Sequence, residues 1–273
     1  MFRWFNNLTV RLKLACGFGL VLLLTLLIAL TGWINLGNVI NRGDKLGEIS
    51  ELIAIAKDLR IARLKFQSTR APEDAKAVLD TLDNLDQRHR ALNEKFTEAE
   101  DRRVIDQQHD LSVEYRKLYA QLLKSYEERD AAKQVLIQAA GAVGEGMQKA
   151  EQKLVNSNSA ESLQHLQDLA GLGRAVMQAR LQVMAYTSTD AQNLEQPAFA
   201  GLQKLIDGVK SDMSTSPAEL SAEFRATLDA LESYRNALTN YRNEVNDSQA
   251  ARDRMRDAGQ QIEKLSADLT ATQ

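Results

Sequence analysis

The sequence predicts an all-α protein: six helices, four short and two long, forming two stacked four-helix bundles behind an N-terminal transmembrane helix. Three observations carry that expectation. Ala, Leu, Gln, Glu, Arg and Lys dominate, residues that lose little on entering a helix, while aromatics make up only 5 %. The three prolines, Pro72, Pro197 and Pro217, fall in short polar stretches between long periodic segments. The chain beyond its apolar start also reads as two passes of one plan. Ala62-Arg63-Leu64 returns as Ala179-Arg180-Leu181, Tyr115-Arg116 as Tyr234-Arg235, and Ala131-Ala132-Lys133 as Ala250-Ala251-Arg252, at offsets of 117–119 residues.

The first element is apolar. No charge occurs between Lys13 and Arg42. Within that stretch Ala15–Ile34 is about twenty mostly apolar residues, enough at ~1.5 Å each to span a ~30 Å hydrocarbon core. Arg3, Arg11 and Lys13 precede it and no acid appears before Asp44. The positive-inside rule therefore makes residues 1–13 cytoplasmic, 14–34 the membrane helix, and 35–273 extracytoplasmic, in the periplasm of an inner-membrane protein. Trp4 and Trp33 stand where an interfacial aromatic belt is expected. A cleaved signal peptide is the rival reading, but its apolar region is ordinarily only ~7–15 residues long. Cys16 opens the apolar run rather than following it, which argues against a lipoprotein and leaves it a small apolar residue. As the lone cysteine it excludes an intrachain disulfide and a multi-cysteine zinc site. No second apolar run occurs although the helical pattern persists to Gln273, so a second crossing is expected to follow.

Each later pass holds two shorter helices and one long one. The first runs Leu36–Arg70, Glu73–Phe96 and Glu98–Val155; the second runs Ala160–Asp190, Ala191–Thr215 and Ala218–Thr270. Ser159 before Glu161 and Ser162, and Ser216-Pro217 before Ala218-Glu219, supply capping chemistry. Two shorter helices laid end to end match the long helix that returns beside them, each route spanning on the order of 85 Å. This predicts a membrane-proximal bundle of residues 36–70, 126–156, 160–190 and 246–270. The distal bundle is then 73–125 with 191–245.

Charge appears where core is expected. A 3,4 spacing on the first of these helices picks out Leu46, Ile49, Ile53, Ala56, then Arg60, Arg63 and Gln67. On the fourth it gives Leu166, Leu169, Gly173, Val176, then Arg180, Val183 and Thr187; on the last, Leu238, Tyr241, Val245, Ser248, then Arg252, Met255, Gly259 and Ile262. Counted from the membrane, the arginines and Lys133 fall at heights on the order of 30–40 Å. No acid occupies these stripes near that level. Unpaired buried cations are unfavourable by several kcal/mol each, and facing arginine forks suit a small di- or tricarboxylate. The ligand-binding residues expected are Arg60, Arg63, Arg180, Arg252, Lys133 and Thr187. The bland alternative is that such arginines snorkel outward or pair with Asp58 or Asp130.

The six-helix plan, with DLRIARL at Asp58–Leu64, resembles the helical bimodular sensor domain of bacterial chemoreceptors, and LTVRLKLACGFGLVLLLTLLIALTGW resembles their first transmembrane segment. The resemblance implies that Arg60, Arg63, Arg180 and Arg252 bind a tricarboxylic-acid-cycle intermediate in the proximal module. It also implies a homodimer and a cytoplasmic signalling partner. Met184 stands where family members for C4-dicarboxylates carry another arginine. The family's second, smaller-acid site has no counterpart sign here; Tyr115, Tyr119 and Tyr234 read as core aromatics.

Other classes find little support. A net charge of −3 and a pI near 5.8 argue against nucleic acid. His89, His109 and His165 are scattered without an i,i+4 pair and read as surface residues, so neither a metal nor a cofactor is expected. No phosphate loop or nucleophile elbow appears, and the chain is not expected to be an enzyme. Gly141, Gly144 and Gly146 allow close packing or a soft point in a long helix. TEAEDRR at Thr97–Arg103 is a solvated face. A chemoreceptor, the input domain of a sensor histidine kinase, and a ligand-free dimerisation stalk remain the three functional classes.

Overall fold

A computed structural model describes residues 10–157 and 160–272, and among them every regular element is helical. The expected roles of Arg3, Trp4 and the Ser159 cap lie outside these residues, as do the side chains of Arg11, Lys13 and Cys16. The helices are α1 Val10–Thr69, α2 Pro72–Lys95, α3 Ala99–Ser157, α4 Ala160–Thr189, α5 Gln192–Thr215 and, after a single 3-10 turn at Ala218–Leu220, α6 Ser221–Thr272.

α1 joins the apolar segment to the first of the expected sensor helices without a break. No proline interrupts it, and glycines such as Gly37 and Gly43 each cost only about 1 kcal/mol, too little to end a helix alone. Leu20 to Leu30 and Trp33 are exposed, so among the described residues nothing packs against this part of α1; it is long and apolar enough to cross a membrane. Burial begins at Ile49 and continues through Leu52, Ala56, Leu59, Arg63 and Phe66, a helical stripe.

The short helices do not stack end to end. α1 turns back at Arg70, whose φ of 53° is left-handed, and α2 runs antiparallel beside it. Lys65 pairs with Asp74 at 2.7 Å, and further along Arg88 pairs with Glu48 at 2.6 Å and also with Glu51. α4 and α5 repeat the device at Asp190, φ 56°. In both turns the amide of the next residue, Ala71 or Ala191, donates to the threonine hydroxyl of Thr69 or Thr189 at 3.2 and 3.3 Å. The duplication read from sequence thus recurs as the same turn. A left-handed residue just past a helix satisfies its last carbonyls and reverses the chain in two residues, which length matching alone does not reveal.

The expected bundle membership is corrected accordingly. One unit comprises residues 1–116 and 256–273, the other Lys117–Met255, so 36–70 packs with 73–95 rather than with 160–190. The first unit has Leu52 and Leu59 of α1, Leu82, Leu85 and Leu92 of α2, Ile105 of α3 and Ile262 of α6 in its core. The second buries Leu136, Val143, Val183, Leu202, Ile206, Leu231 and Leu238 together. Tyr115, Tyr119 and Tyr234 are core aromatics, as expected. Two smaller expectations also change. Pro197 lies inside the second turn of α5, not between helices. Ser216 closes α5 through its amide to Asp212 O at 2.9 Å and does not cap the 3-10 turn.

Candidate functional site

In the first unit the α1 stripe delivers Arg63 to the interior, where it is 7 % exposed. Its Nε is buried without a hydrogen-bond acceptor, and Nε2 of Gln67, one turn on, is in the same condition. A buried N–H donor left without an acceptor costs about 1–3 kcal/mol, and an anion brought against this edge of the guanidinium would recover it. Arg60 behaves differently. Its side chain is mostly exposed and its Nη1 lies 3.7 Å from Glu263 Oε1 on α6. The expectation that no acid answers these arginines therefore fails at Arg60. One turn of difference places it at the edge of the stripe, where a long side chain snorkels out.

The other four candidates belong to the second unit. Arg252 is half-buried, its Nη1 3.2 Å from the Tyr126 hydroxyl and its Nη2 2.6 Å from Gln249 Oε1. Lys133 lies over the Tyr241 ring, 5.5 Å from its centre. The main-chain oxygen of Thr187 accepts from the Tyr241 hydroxyl at 2.9 Å, so Thr187, Lys133 and Tyr241 come together. Arg180 is exposed and joins none of them; among the described residues neither it nor Arg63 makes an ion pair.

Sequence reasoning missed the centre of this group. Arg129 of α3 is 2 % exposed and pairs through Nη2 with the Asp190 carboxylate. Its guanidinium packs over the rings of Tyr126 and Tyr241 at 5.7 and 5.2 Å, a cation–π arrangement. Nη2 also donates to the Tyr241 hydroxyl at 3.1 Å, and that hydroxyl meets the Asp190 carboxylate. Burial pulls the Arg129 pKa down, but Tyr241 and Asp190 more than restore it, and the net direction is upward. Burial likewise raises the Tyr241 hydroxyl well above its ordinary range. Nε and Nη1 of Arg129 remain buried without acceptors. The signal was present: the spacing applied to the other helices picks out Leu122, Tyr126, Arg129, Lys133 and Leu136 on α3.

The same unit has a groove of 740 Å³ lined by Glu128, Asp229, Glu232 and Glu244. Four carboxylates repel an organic acid, so the groove does not compete with the arginines for one.

The histidines also depart from expectation. His89 is 1 % exposed, on the α2 stripe with Leu82, Leu85 and Leu92, and its ring meets that of His109 edge-on at 5.9 Å. Burial, then the neighbouring His109, lowers its pKa to about 4. A search along one helix for paired histidines overlooks a pair formed across two.

The comparisons with known proteins agree with this architecture. The chain is 32 % identical to the methyl-accepting chemotaxis protein McpQ of Pseudomonas putida, over all of this chain and 43 % of the relative. It is 30 % identical to McpS of the same species, over 82 % of this chain and 36 % of the relative. McpK of Pseudomonas aeruginosa is 26 % identical over 84 % of this chain and 36 % of the relative. The chain spans less than half the length of these curated relatives. The profile of the helical bimodular sensor domain matches residues 33–273. An apolar helix followed by two antiparallel helical hairpins, each packed with parts of the long α3 and α6, makes this chain a member of the helical bimodular sensor domain family.

Proposed function

We propose that the chain is the extracytoplasmic sensing region of a bacterial transmembrane chemoreceptor and that it binds a small di- or tricarboxylate of the tricarboxylic-acid-cycle type. Arg63 carries the reading: a cation 7 % exposed, with a buried Nε that no acceptor meets among the described residues, on the DLRIARL segment. A bidentate carboxylate meets that deficit directly. Arg60 is the further proposed contact in the first unit; Arg180, Arg252, Lys133 and Thr187, expected beside it from the sequence, belong to the second unit and are not assigned to this site. Arg129, held by Asp190, is assigned to positioning within that second unit.

Residues 14–34 cross the inner membrane, and 35–273 lie in the periplasm, in this proposal. The receptor works as a homodimer. Met177, Leu181 and Met184, 56–61 % exposed on one face of α4, favour a covering partner there. Binding shifts α6 slightly, and the signal passes inward through a cytoplasmic output domain, a ligand acting only through its preference for one arrangement.

A thermal-shift screen of the chain in detergent against citrate, malate, succinate, fumarate and acetate tests this. At least one di- or tricarboxylate raises Tm progressively with its concentration, as the logarithm of concentration once it exceeds Kd. A flat response to the whole panel overturns the ligand class.

A further inference from the structure

Asp86 and His89 stand three residues apart on α2, hence on one face, and His109 faces them from α3. One Asp86 carboxylate oxygen and a ring nitrogen from each histidine lie within 4.8 Å of one another. We infer that Asp86, His89 and His109 form a binding site for a single late first-row divalent cation, Zn2+ foremost.

The strongest support is His89. Both of its nitrogens are buried without a hydrogen-bond partner, and Nδ1 of His109 is buried without one as well. A neutral imidazole carries one donor and one lone pair, so a lone pair is left with nothing to meet, at a cost of about 1–3 kcal/mol. A metal ion answers lone pairs on both rings at once.

The donor set decides the metal. Two imidazoles and one carboxylate suit Zn2+, Co2+, Ni2+ or Cu2+, whereas Mg2+ and Ca2+ require oxygen shells. With bonds of ~2.0–2.1 Å, tetrahedral donors sit about 3.4 Å apart, so closure asks for side-chain rotations on the order of 1 Å. Three protein ligands leave a fourth position open. His109 is 42 % exposed at its side chain, which gives an ion a way in.

The surroundings hold the carboxylate ready. Ser112 Oγ donates to Asp86 Oδ1 at 2.8 Å, and Arg116 Nη2 donates to Asp86 Oδ2 at 2.8 Å, the orienting contacts a ligating carboxylate ordinarily has. Arg116 is a positive charge near an intended cation. It is shared with Asp83, also at 2.8 Å, so Asp83, Asp86 and Arg116 together still carry a net negative charge. A cation here ties α2 to α3 and lies in a different part of the first unit's sequence from Arg63. The inference therefore does not depend on carboxylate binding.

The test uses the 273-residue chain in detergent, free of any affinity tag, stripped with chelator and dialysed into carboxylate-free buffer. Calorimetric titration with ZnCl2 gives one equivalent bound per chain, and Co2+ gives the visible absorption of a tetrahedral site. His109→Ala, at the half-exposed position, weakens Zn2+ binding more than ten-fold with unchanged far-UV dichroism. His89→Phe, which fills the buried volume without a donor, does the same. Absence of Zn2+ uptake by the parent chain, or uptake equal to the parent's in both variants, overturns the site.

Discussion

The Asp190 carboxylate pairs with the Arg129 guanidinium from the one residue of its hairpin that takes a left-handed backbone conformation, φ 56°. The turn that reverses α4 into α5 therefore also supplies the counter-charge for a buried cation on α3. Asn tolerates the left-handed region, so Asp190→Asn keeps the turn and removes only the charge. It lowers stability by about 3–5 kcal/mol because it leaves the buried guanidinium unanswered, whereas Arg129→Met costs less, since the Asp190 carboxylate it leaves behind is part-exposed. The double variant recovers part of the loss. A urea-denaturation cycle of the four proteins measures the coupling; strictly additive effects contradict the pairing.

Stability falls in mild acid because of His89. Its folded pKa, about 4, is below the unfolded value near 6.5, so between these pH values the unfolded chain holds the proton and the folded chain does not. The groups facing it are His109 and Asp86. In chelator-treated protein the contribution is constant above pH 7 and declines from about pH 6.5 to about 4, by roughly 3 kcal/mol in total. His89→Phe flattens that segment of the stability profile. An unchanged slope in the variant contradicts the assignment.

The glycines of α3 separate into two kinds. A Cβ at Gly146 meets Thr227 Oγ1 of α6 at 2.3 Å, whereas nothing lies within 4 Å of one at Gly141 or Gly144. Gly146→Ala lowers Tm, with Thr227 forced from its 2.8 Å bond to Glu223 O. Gly141→Ala and Gly144→Ala raise stability by about 0.5–1 kcal/mol each through helix propensity. Of the two roles read from these glycines, close packing belongs to Gly146 alone.

The apolar part of α1 gives a fourth expectation. Leu26→Arg, at a position 63 % exposed in the protein, disfavours membrane insertion by about 3–4 kcal/mol. Alkaline extraction of membranes expressing the chain reads it: the parent stays with the membrane and the variant shifts toward the soluble fraction. Equal retention of both contradicts the spanning role.

Helix existence was legible in the sequence because 3,4 periodicity and turn residues act locally. The hairpins were not, since end-to-end stacking and reversal use the same helix lengths, and the deciding feature is the backbone of Arg70 and Asp190. The repeated threonine at 69 and 189, two residues before an alanine, was the available clue. Within the site, Arg63 obeyed the stripe argument. Arg60 and Arg180 did not, because a stripe fixes the Cα and leaves a long side chain free to reach solvent. Arg129 and His89 lie on the α3 and α2 stripes and were legible there as buried positions, whereas the pairing of Arg129 with Asp190 and of His89 with His109 crosses helices and is invisible to spacing along one.

The most direct test is calorimetric titration of the chain and of Arg63→Ala with the carboxylate that gives the largest thermal shift. The parent binds it with one site per chain, and Arg63→Ala weakens that binding at least ten-fold while its far-UV dichroism is unchanged. Equal affinity in the parent and in Arg63→Ala contradicts the proposal that the buried guanidinium is there to receive an organic acid.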